Sequence, residues 1–440
     1  MELKDYQVKT LDQVKRFLDA LAKERKQGNV KHASLDAWQS LSIGRSYIER
    51  KNGLGNDLPT FCLKIPTGGG KTLLATKVID MVNTTYLKKR TGLVVWVVPT
   101  TQIYNQTIKS LRDRQHPYRQ FLDIASGGKT LILERTEKFS PLDIQESLVV
   151  LMLMLPAAAR QSKETLRMFR DNGGFTEFFP PEDEVKQQTA LLQAIPNLDT
   201  FGNEKDFWGR QIKTSLGNVL RLLNPMIVLD EGHKAYSETA QKTLREFNPS
   251  LILELTATPT PDSNILVDIL GIALNREDMI KLDLHLINKA STDWKDTLLA
   301  AKNERDLLEQ KALEYEAQSG VYIRPICLIQ AERTGKEQRG SRLIHSEDVR
   351  EHLIKTLGIA PDQVAVKTSE KDELKEVDDI GGLMSRDCHI RYIVTKQALQ
   401  EGWDCPFAYL LTILTNPSSK NALTQLLGRI LRQPLLKKPQ

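Results

Sequence analysis

The feature that most constrains this chain is a glycine-rich stretch at residues 66–72, which reads P-T-G-G-G-K-T. An apolar run at residues 61–65 leads into it, and an amphipathic segment beginning at Leu73 follows it. This order predicts a strand, a tight turn and a helix, so that backbone N–H groups and the helix N-terminus together form an anion site. The alternative is a glycine-rich surface turn that happens to precede Lys-Thr, and the strand-to-helix context argues against it.

The same stretch predicts how a nucleotide would be held. Lys71 would reach the β- and γ-phosphates, and the Thr72 hydroxyl would bind Mg²⁺. Glycines suit the turn because the backbone must curl tightly and come close to the phosphates. Four residues before the lysine are expected to supply that backbone: Thr67, Gly68, Gly69 and Gly70. The strict pattern has a further glycine where Ile65 stands, so the match is a variant.

The bulk properties limit the class of protein. A length of 440 residues predicts two or three domains. The net charge of +5 permits nucleic-acid binding without demonstrating it. The four cysteines show no paired short spacing, which argues against a disulfide framework or metal cluster and favours a reducing cytoplasm. The apolar run at residues 148–155 is too short to span a membrane, so we expect a buried strand and no membrane association.

Apolar runs that end in polar residues predict an α/β fold with a doubly wound parallel sheet. Residues 93–98 form such a run and are followed by Thr100 and Gln102. Residues 227–229 end in Asp230 and Glu231, and residues 251–255 end in Thr256. Open α/β sheets bind their ligands at this edge. Helices are predicted at residues 5–25, 73–86 and 296–318.

A second α/β set begins near residue 321. We predict its strands at residues 325–330, 390–395 and 408–415, and its helices at residues 348–356 and 422–432. The expected domains are residues 1–275, with inserted helices and loops around 126–224, then a helical connector at 276–322 and a second domain at 323–440.

Asp230 and Glu231 have the chemistry that nucleotide hydrolysis requires. One carboxylate must lie near Mg²⁺, and another group must orient the attacking water. Asp230 fits the first role and Glu231 the second. An acidic pair in a strand-to-helix loop is common, so this interpretation depends on the phosphate-binding loop. His233 would either couple the site to other elements or cap a loop.

Two further groups come from the second half of the chain. Gln425, Arg429 and Arg432 share one helix face, where the guanidinium groups would stabilise charge on a transferring phosphoryl group. A solvated basic helix end is the alternative. Gly402 and Asp404 follow a predicted strand and are expected to face the nucleotide.

Taken in order, these motifs resemble those of superfamily 2 helicases. The corresponding segments are residues 66–72, 97–102, 230–233, 256–258, 401–404 and 425–432, with Gly232 as a departure. The resemblance implies two tandem RecA-like domains with ATP and Mg²⁺ in the interdomain cleft. It also gives meaning to Tyr6 and Gln7, which otherwise look like surface residues. They are similar to an N-terminal Tyr-Gln element whose glutamine contacts adenine.

A narrower resemblance lies in residues 366–370, 395–408 and 423–433. These segments look like the restriction (Res) subunit of type III restriction–modification enzymes. That family implies ATP-driven movement on duplex DNA and a nuclease domain after the helicase core. Because the chain ends at residue 440, we expect a separate nuclease or a fragment, and a methyltransferase or specificity subunit as partner.

The expected nucleic-acid contacts are Thr100, Gln102 and Thr395, at strand ends. An RNA helicase and a non-catalytic nucleic-acid-binding remnant remain the alternatives. Asp362 with Glu373 and Lys375 has the lettering of a metal-dependent nuclease, but these residues interrupt the second α/β set, so we reject that interpretation.

Overall fold

The structure is a computed structural model. It describes residues 2–154, 173–202, 209–232, 238–281, 285–287, 293–332, 343–368, 371–375, 377, 381–396, 405–414, 427, 430 and 431. The chain divides into two compact units, one made of residues 1–65 with 70–270 and the other of residues 66–69 with 271–440. Within the described part, no helix has the length and apolar character that a membrane crossing requires.

The first unit is built on a seven-stranded sheet in which every adjacent pair is parallel. The strands of this unit are β1 (Thr60–Lys64), β2 (Gly92–Val98), β3 (Thr130–Glu134), β4 (Leu148–Met154), β5 (Thr200–Phe201), β6 (Gln211–Ile212), β7 (Met226–Asp230), β8 (Leu251–Thr256) and β9 (Ile265–Asp268). Of these, β5 and β6 form a separate two-stranded antiparallel pair. The order across the sheet is β3-β4-β2-β7-β8-β1-β9. Two of the central pairs, β2 with β7 and β8 with β1, therefore join distant parts of the sequence.

Helices connect these strands. The first unit contains α1 (Asp5–Lys26), α2 (Ala33–Ser40), α3 (Lys71–Met81), α4 (Thr101–Arg112), α5 (Pro117–Ser126), α6 (Pro141–Glu146), α7 (Val185–Ala194), α8 (Leu216–Leu223) and α9 (Glu238–Glu246). A π-helical segment, Val82–Leu87, continues α3, and a 3₁₀ turn lies at Thr176–Phe178. Crossover helices of this kind allow parallel strands to lie side by side.

The core of this unit follows from the apolar runs. All residues of β2 are buried, and alternate residues such as Val95 and Val97 join a cluster with Val149 and Leu151 of β4. A strand in a parallel sheet must be apolar on both faces because helices cover both, which explains the unbroken run. The predicted strands at 93–98, 148–155, 227–229 and 251–255 are confirmed.

The second unit has a four-stranded parallel sheet with the order β11-β12-β10-β13. Its elements are α10 (Gly271–Arg276), α11 (Trp294–Ser319), β10 (Ile326–Gln330), α12 (Ser346–Glu351), β11 (Val364–Lys367), β12 (Tyr392–Thr395) and β13 (Ala408–Ile413). A π-helical segment, His352–Thr356, follows α12, and a 3₁₀ turn, Pro361–Gln363, precedes β11. The predicted α/β class with parallel sheets is confirmed.

Several features differ from the sequence predictions. Strands β3, β9 and β11 were not predicted, although β3 and β4 lie within residues 126–224 and belong to the main sheet. Tyr6 and Gln7 look like surface residues in the sequence, yet both are buried in α1, whereas the neighbouring Val8 is 51% exposed. The predicted helix at 422–432 falls outside the described residues, apart from residues 427, 430 and 431.

Candidate active site

The glycine-rich loop joins β1 to α3, as predicted. Gly68 and Gly70 have φ angles of 85° and 78°, in the left-handed region that favours glycine. Gly70 is the N-cap of α3, so the helix begins at Lys71. The first N–H groups of a helix lack partners within it and face toward its start, which suits an anion at this position.

Gln7 packs directly against this loop. A Cβ atom added at Gly70 would lie 2.8 Å from the Gln7 Nε2 atom. The Gln7 side chain is held in place because its Oε1 atom accepts from the Lys4 N–H at 3.0 Å and its Nε2 atom donates to the Tyr6 hydroxyl at 3.3 Å. The loop therefore needs glycine at position 70 for its backbone angle and for the space that Gln7 occupies. Adenine contact by Gln7 stays a prediction.

The acidic pair follows β7 at the same sheet edge. Asp230 is the last residue of β7 and is buried, and its Oδ1 atom accepts from the Glu231 N–H at 3.0 Å. Burial raises the pKa of Asp230 to about 6; Lys71 opposes the rise and Glu231 adds to it. Burial disfavours the charged form of this carboxyl, and a bound cation would offset that cost.

Lys71 and Glu231 form an ion pair although they lie 160 positions apart in sequence. The Lys71 ammonium contacts the Glu231 Oε1 atom, and both side chains are largely buried. The Thr256 hydroxyl lies 3.5 Å from the other carboxylate oxygen of Glu231 and accepts from the Thr258 N–H at 3.1 Å. The structure thus brings together the lysine, the acidic pair and the threonine that the sequence singled out.

Strand order explains this convergence. Strands β7, β8 and β1 are adjacent, with Asp230 opposite Leu255 and Lys64 opposite Thr256. Because all three strands run the same way, the loops that follow them leave the sheet at one edge.

The predicted metal ligands are Thr72 and Asp230. Thr72 is half-buried in the first turn of α3, directly after Lys71. Among the residues that the structure describes, no three His, Cys, Asp or Glu side chains gather in a way that could hold a metal ion. This donor set fits Mg²⁺, which takes one or two protein ligands together with waters and phosphate oxygens, and does not fit a metal that needs an all-protein cage.

Two acidic residues near the site were missed by the sequence analysis. Glu254 is buried in β8, and a Cβ atom added at Gly232 would lie 3.4 Å from the Glu254 Cβ atom. Asp268, at the end of β9, pairs with Lys64 at 3.0 Å and with Arg45 at 2.9 Å. The sequence carried one signal for both residues, because each is a charged residue inside or directly after an apolar run. Such a residue is rarely buried without a partner.

The predicted nucleic-acid residues lie at strand and helix ends. Thr100 caps α4 by accepting from the Ile103 N–H at 3.4 Å, and Gln102 is exposed on the first turn of that helix. Thr395 is the last residue of β12 and is buried. These placements do not test nucleic-acid contact, which stays a prediction.

Six residues that the sequence analysis singled out fall outside the described residues: His233, Gly402, Asp404, Gln425, Arg429 and Arg432. The nuclease-like lettering has a structural explanation. The Glu373 carboxylate binds Arg350 at 2.7 Å, Lys371 at 2.8 Å and the Val366 N–H at 2.7 Å. Glu373 therefore joins a charged cluster beside β11.

Comparison with known proteins identifies the family. Residues 1–261 match the family model described as type III restriction enzyme, res subunit. The chain belongs to this family. This match confirms the resemblance to Res subunits that the motifs indicated. The matched residues of this chain include the glycine-rich loop, the acidic pair and Thr256. Among curated proteins, none matches the sequence.

Solved structures give weaker likenesses. A fragment assigned to an HsdR subunit of a type I restriction enzyme from Vibrio vulnificus YJ016 is 12% identical, with a TM-score of 0.41 over 85% of this chain. The ATP-dependent type ISP restriction-modification enzyme LlaBIII, bound to DNA, is 12% identical, with a TM-score of 0.49 over 99% of this chain. The S. cerevisiae protein Dbp5, bound to RNA and ADP BeF3, is 12% identical, with a TM-score of 0.38 over 85% of this chain and 76% of its own. The chain spans 57% and 27% of the first two proteins.

Proposed function

We propose that this Res-family chain is a nucleic-acid-dependent ATPase that hydrolyses ATP to drive movement on duplex DNA. The convergence of Lys71, Asp230 and Glu231 at one sheet edge carries this proposal, because phosphate binding, metal binding and water activation require these three groups together. Family membership supports the same activity.

Each residue has a distinct task in this proposal. Lys71 and the N–H groups at the start of α3 bind the phosphates, while Thr72 and Asp230 hold Mg²⁺, which supplies positive charge against the developing negative charge. Glu231 orients a water molecule and accepts its proton. The Thr256 hydroxyl, 3.5 Å from Glu231, keeps that carboxylate in position.

Residues outside the described part complete the proposal. We assign Gln425, Arg429 and Arg432 to stabilising the transferring phosphoryl group, and Gly402 and Asp404 to binding the nucleotide. Duplex DNA is the proposed track, with a methyltransferase or specificity subunit as partner in the cytoplasm. The proposed nucleic-acid contacts are to phosphates rather than to base edges. We therefore expect the affinity for nucleic acid to depend little on base sequence and strongly on salt concentration.

ATP hydrolysis by the purified chain tests this function. We expect duplex DNA to stimulate phosphate release, and Lys71→Ala to abolish it because the phosphates lose their cation. Lys129→Ala is the matched control, since Lys129 forms an exposed ion pair with Glu146 away from the loop. The proposed activity is wrong if no nucleic acid stimulates hydrolysis. Preferential stimulation by single-stranded RNA would instead reject duplex DNA as the track and favour an RNA helicase.

A further inference from the structure

Three side chains form a polar row at the carboxyl edge of the first unit's sheet. Lys64 ends β1, Thr256 ends β8 and Asp268 ends β9. Lys64 lies in the middle strand and is the register partner of both other residues. Register partners in adjacent parallel strands point to the same face of a sheet. The lysine side chain therefore has a threonine on one side and a carboxylate on the other.

The Lys64 ammonium is turned toward the carboxylate. Its Nζ atom lies 3.0 Å from the Asp268 Oδ1 atom and 3.3 Å from the Oδ2 atom. The Arg45 guanidinium donates to the same Oδ2 atom at 2.9 Å and to the Ile265 carbonyl oxygen at 3.4 Å. Arg45 thus holds the Asp268 carboxylate against β9, the outermost strand on that side of the sheet, and the carboxylate holds the lysine.

The other side of the row leads to the residue that is proposed to activate water. The Thr256 Oγ1 atom lies 3.5 Å from the Glu231 Oε2 atom. Neighbouring strands are only about 4.8 Å apart, and a lysine carries its charge on a flexible four-carbon stem. If the Lys64 ammonium turned toward Thr256 instead of Asp268, it would come close to the Glu231 carboxylate.

A second lysine beside Glu231 would interfere with the proposed reaction. In this structure the Glu231 carboxylate is paired with Lys71, and the proposed function requires phosphates to take that lysine over. The released carboxylate must then bind the attacking water. An ammonium within reach would displace the water, because charge-assisted hydrogen bonds are stronger than neutral ones.

We propose that Asp268 is a positioning residue for ATP hydrolysis, because it keeps the Lys64 ammonium away from Glu231. Lys71 can then exchange between the Glu231 carboxylate and the phosphates without a competitor from β1. This inference rests on the proposed function, which makes Glu231 the residue that orients water. The alternative is an ion pair that only fixes β9 to β1.

Asp268→Asn tests the inference, because it keeps the shape of the side chain and removes its charge. In the presence of the nucleic acid that stimulates wild type, kcat for ATP hydrolysis should fall about tenfold or more, as expected for unit charges a few ångströms apart. The Kd for ADP should stay equal or fall, because the released Lys64 competes with Lys71 for Glu231. A phosphate-release assay and titration of a fluorescent ADP analogue measure the two quantities.

Lys64→Met separates positioning from a purely structural role. Alone, this variant should keep kcat near the wild-type value, because it removes the competing ammonium. Combined with Asp268→Asn, it should restore the kcat that Asp268→Asn loses. If Asp268 only anchors β9, the double variant should instead hydrolyse ATP as slowly as Asp268→Asn does.

Arg45→Met is the matched control. It removes the other cation from Asp268 and leaves Lys64 paired, so kcat and the Kd for ADP should both equal the wild-type values. Thermal unfolding of every variant is measured in parallel. The midpoints should change little, because ion pairs as exposed as these contribute little to stability.

Three results would overturn the inference and leave the proposed function intact. Asp268→Asn could hydrolyse ATP at the wild-type rate, the double variant could be as slow as Asp268→Asn, or Lys64→Met alone could lose hydrolysis. The third result requires no change at Asp268, so it applies even if Asp268→Asn does not fold. If wild type hydrolyses ATP with no nucleic acid at all, the proposed function itself fails.

Discussion

At the scale of single residues, Lys71 holds two roles that exclude each other. Its ammonium pairs with Glu231 in this structure, and the proposed function requires the same ammonium for phosphates. Glu231 adopts a φ of 50°, which is uncommon for a residue other than glycine. Under the proposed function, Glu231 would act on water only after phosphates take over Lys71, because its carboxylate is paired with that lysine until then.

The variant Glu231→Gln separates binding from hydrolysis. The amide cannot neutralise Lys71, so we expect ADP to bind about threefold to tenfold more tightly, which corresponds to about 0.7 to 1.4 kcal/mol. Hydrolysis should be lost because no carboxylate accepts the proton from water. Titration of a fluorescent ADP analogue and a phosphate-release assay measure the two effects. Glu134→Gln, which alters a carboxylate paired with Arg112, is the control. Unchanged or weaker ADP binding in Glu231→Gln would contradict competition for Lys71.

At the scale of elements, long apolar runs were predictable and short edge strands were not. β2 and β4 are unbroken apolar runs, and all of β2 and all of β4 except Met154 is buried. β9 has only four residues, lies at the sheet edge and ends in Asp268. Its place is set by pairing with β1, a long-range contact that local pattern does not contain.

The same limit applies to the site. Lys71, Asp230 and Glu231 were predictable because each follows an apolar run in a residue pattern with known chemistry. The contact of Gln7 with Gly70 was not, since the dipeptide Tyr6-Gln7 has no local signal and only the fold brings α1 to the loop.

The loop and α1 should therefore depend on each other through Gly70. Alanine at a left-handed position costs about 1–2 kcal/mol. Gly55→Ala should show only this cost, because Gly55 has a φ of 76° and open space around it. Gly70→Ala should lower the free energy of unfolding further, because the methyl group meets Gln7. Thermal and denaturant unfolding measure both variants.

A double-mutant cycle isolates the contact. Gly70→Ala should lower the free energy of unfolding by more than Gly55→Ala does. Adding Gln7→Ala to Gly70→Ala should restore that excess. If Gly70→Ala and Gly55→Ala lower the free energy of unfolding equally, the Gln7 side chain moves aside without destabilising the fold.

At the scale of the whole molecule, each unit has its own apolar core, and the second unit also buries an arginine side chain. Arg324 is fully buried and donates to the carbonyl oxygens of Leu383, Ser385 and Cys388 and to the Tyr322 hydroxyl. It thereby fixes the loop that leads into β12. A guanidinium suits this place because its planar fork carries five donors.

Calorimetry of the full chain should show the consequence of two cores. We expect two unfolding transitions, and Arg324→Met should lower one by roughly 5 to 10 °C, because several carbonyl groups lose their donor. The other transition should not move. Arg386→Met is the control, since Arg386 is exposed and pairs with Glu316 beside the same loop. A shift of both transitions by Arg324→Met would show that the units unfold as one.

The position of β1 also has a consequence for synthesis on the ribosome. β1 leads into the phosphate-binding loop, yet its two neighbours, β8 and β9, are among the last strands of the sheet to be made. Until they emerge, a strand whose first four residues are buried in the folded chain has both hydrogen-bonding edges open, which favours pairing with other chains. The nascent Res-family chain should therefore depend on chaperones for as long as the ribosome has not passed Asp268.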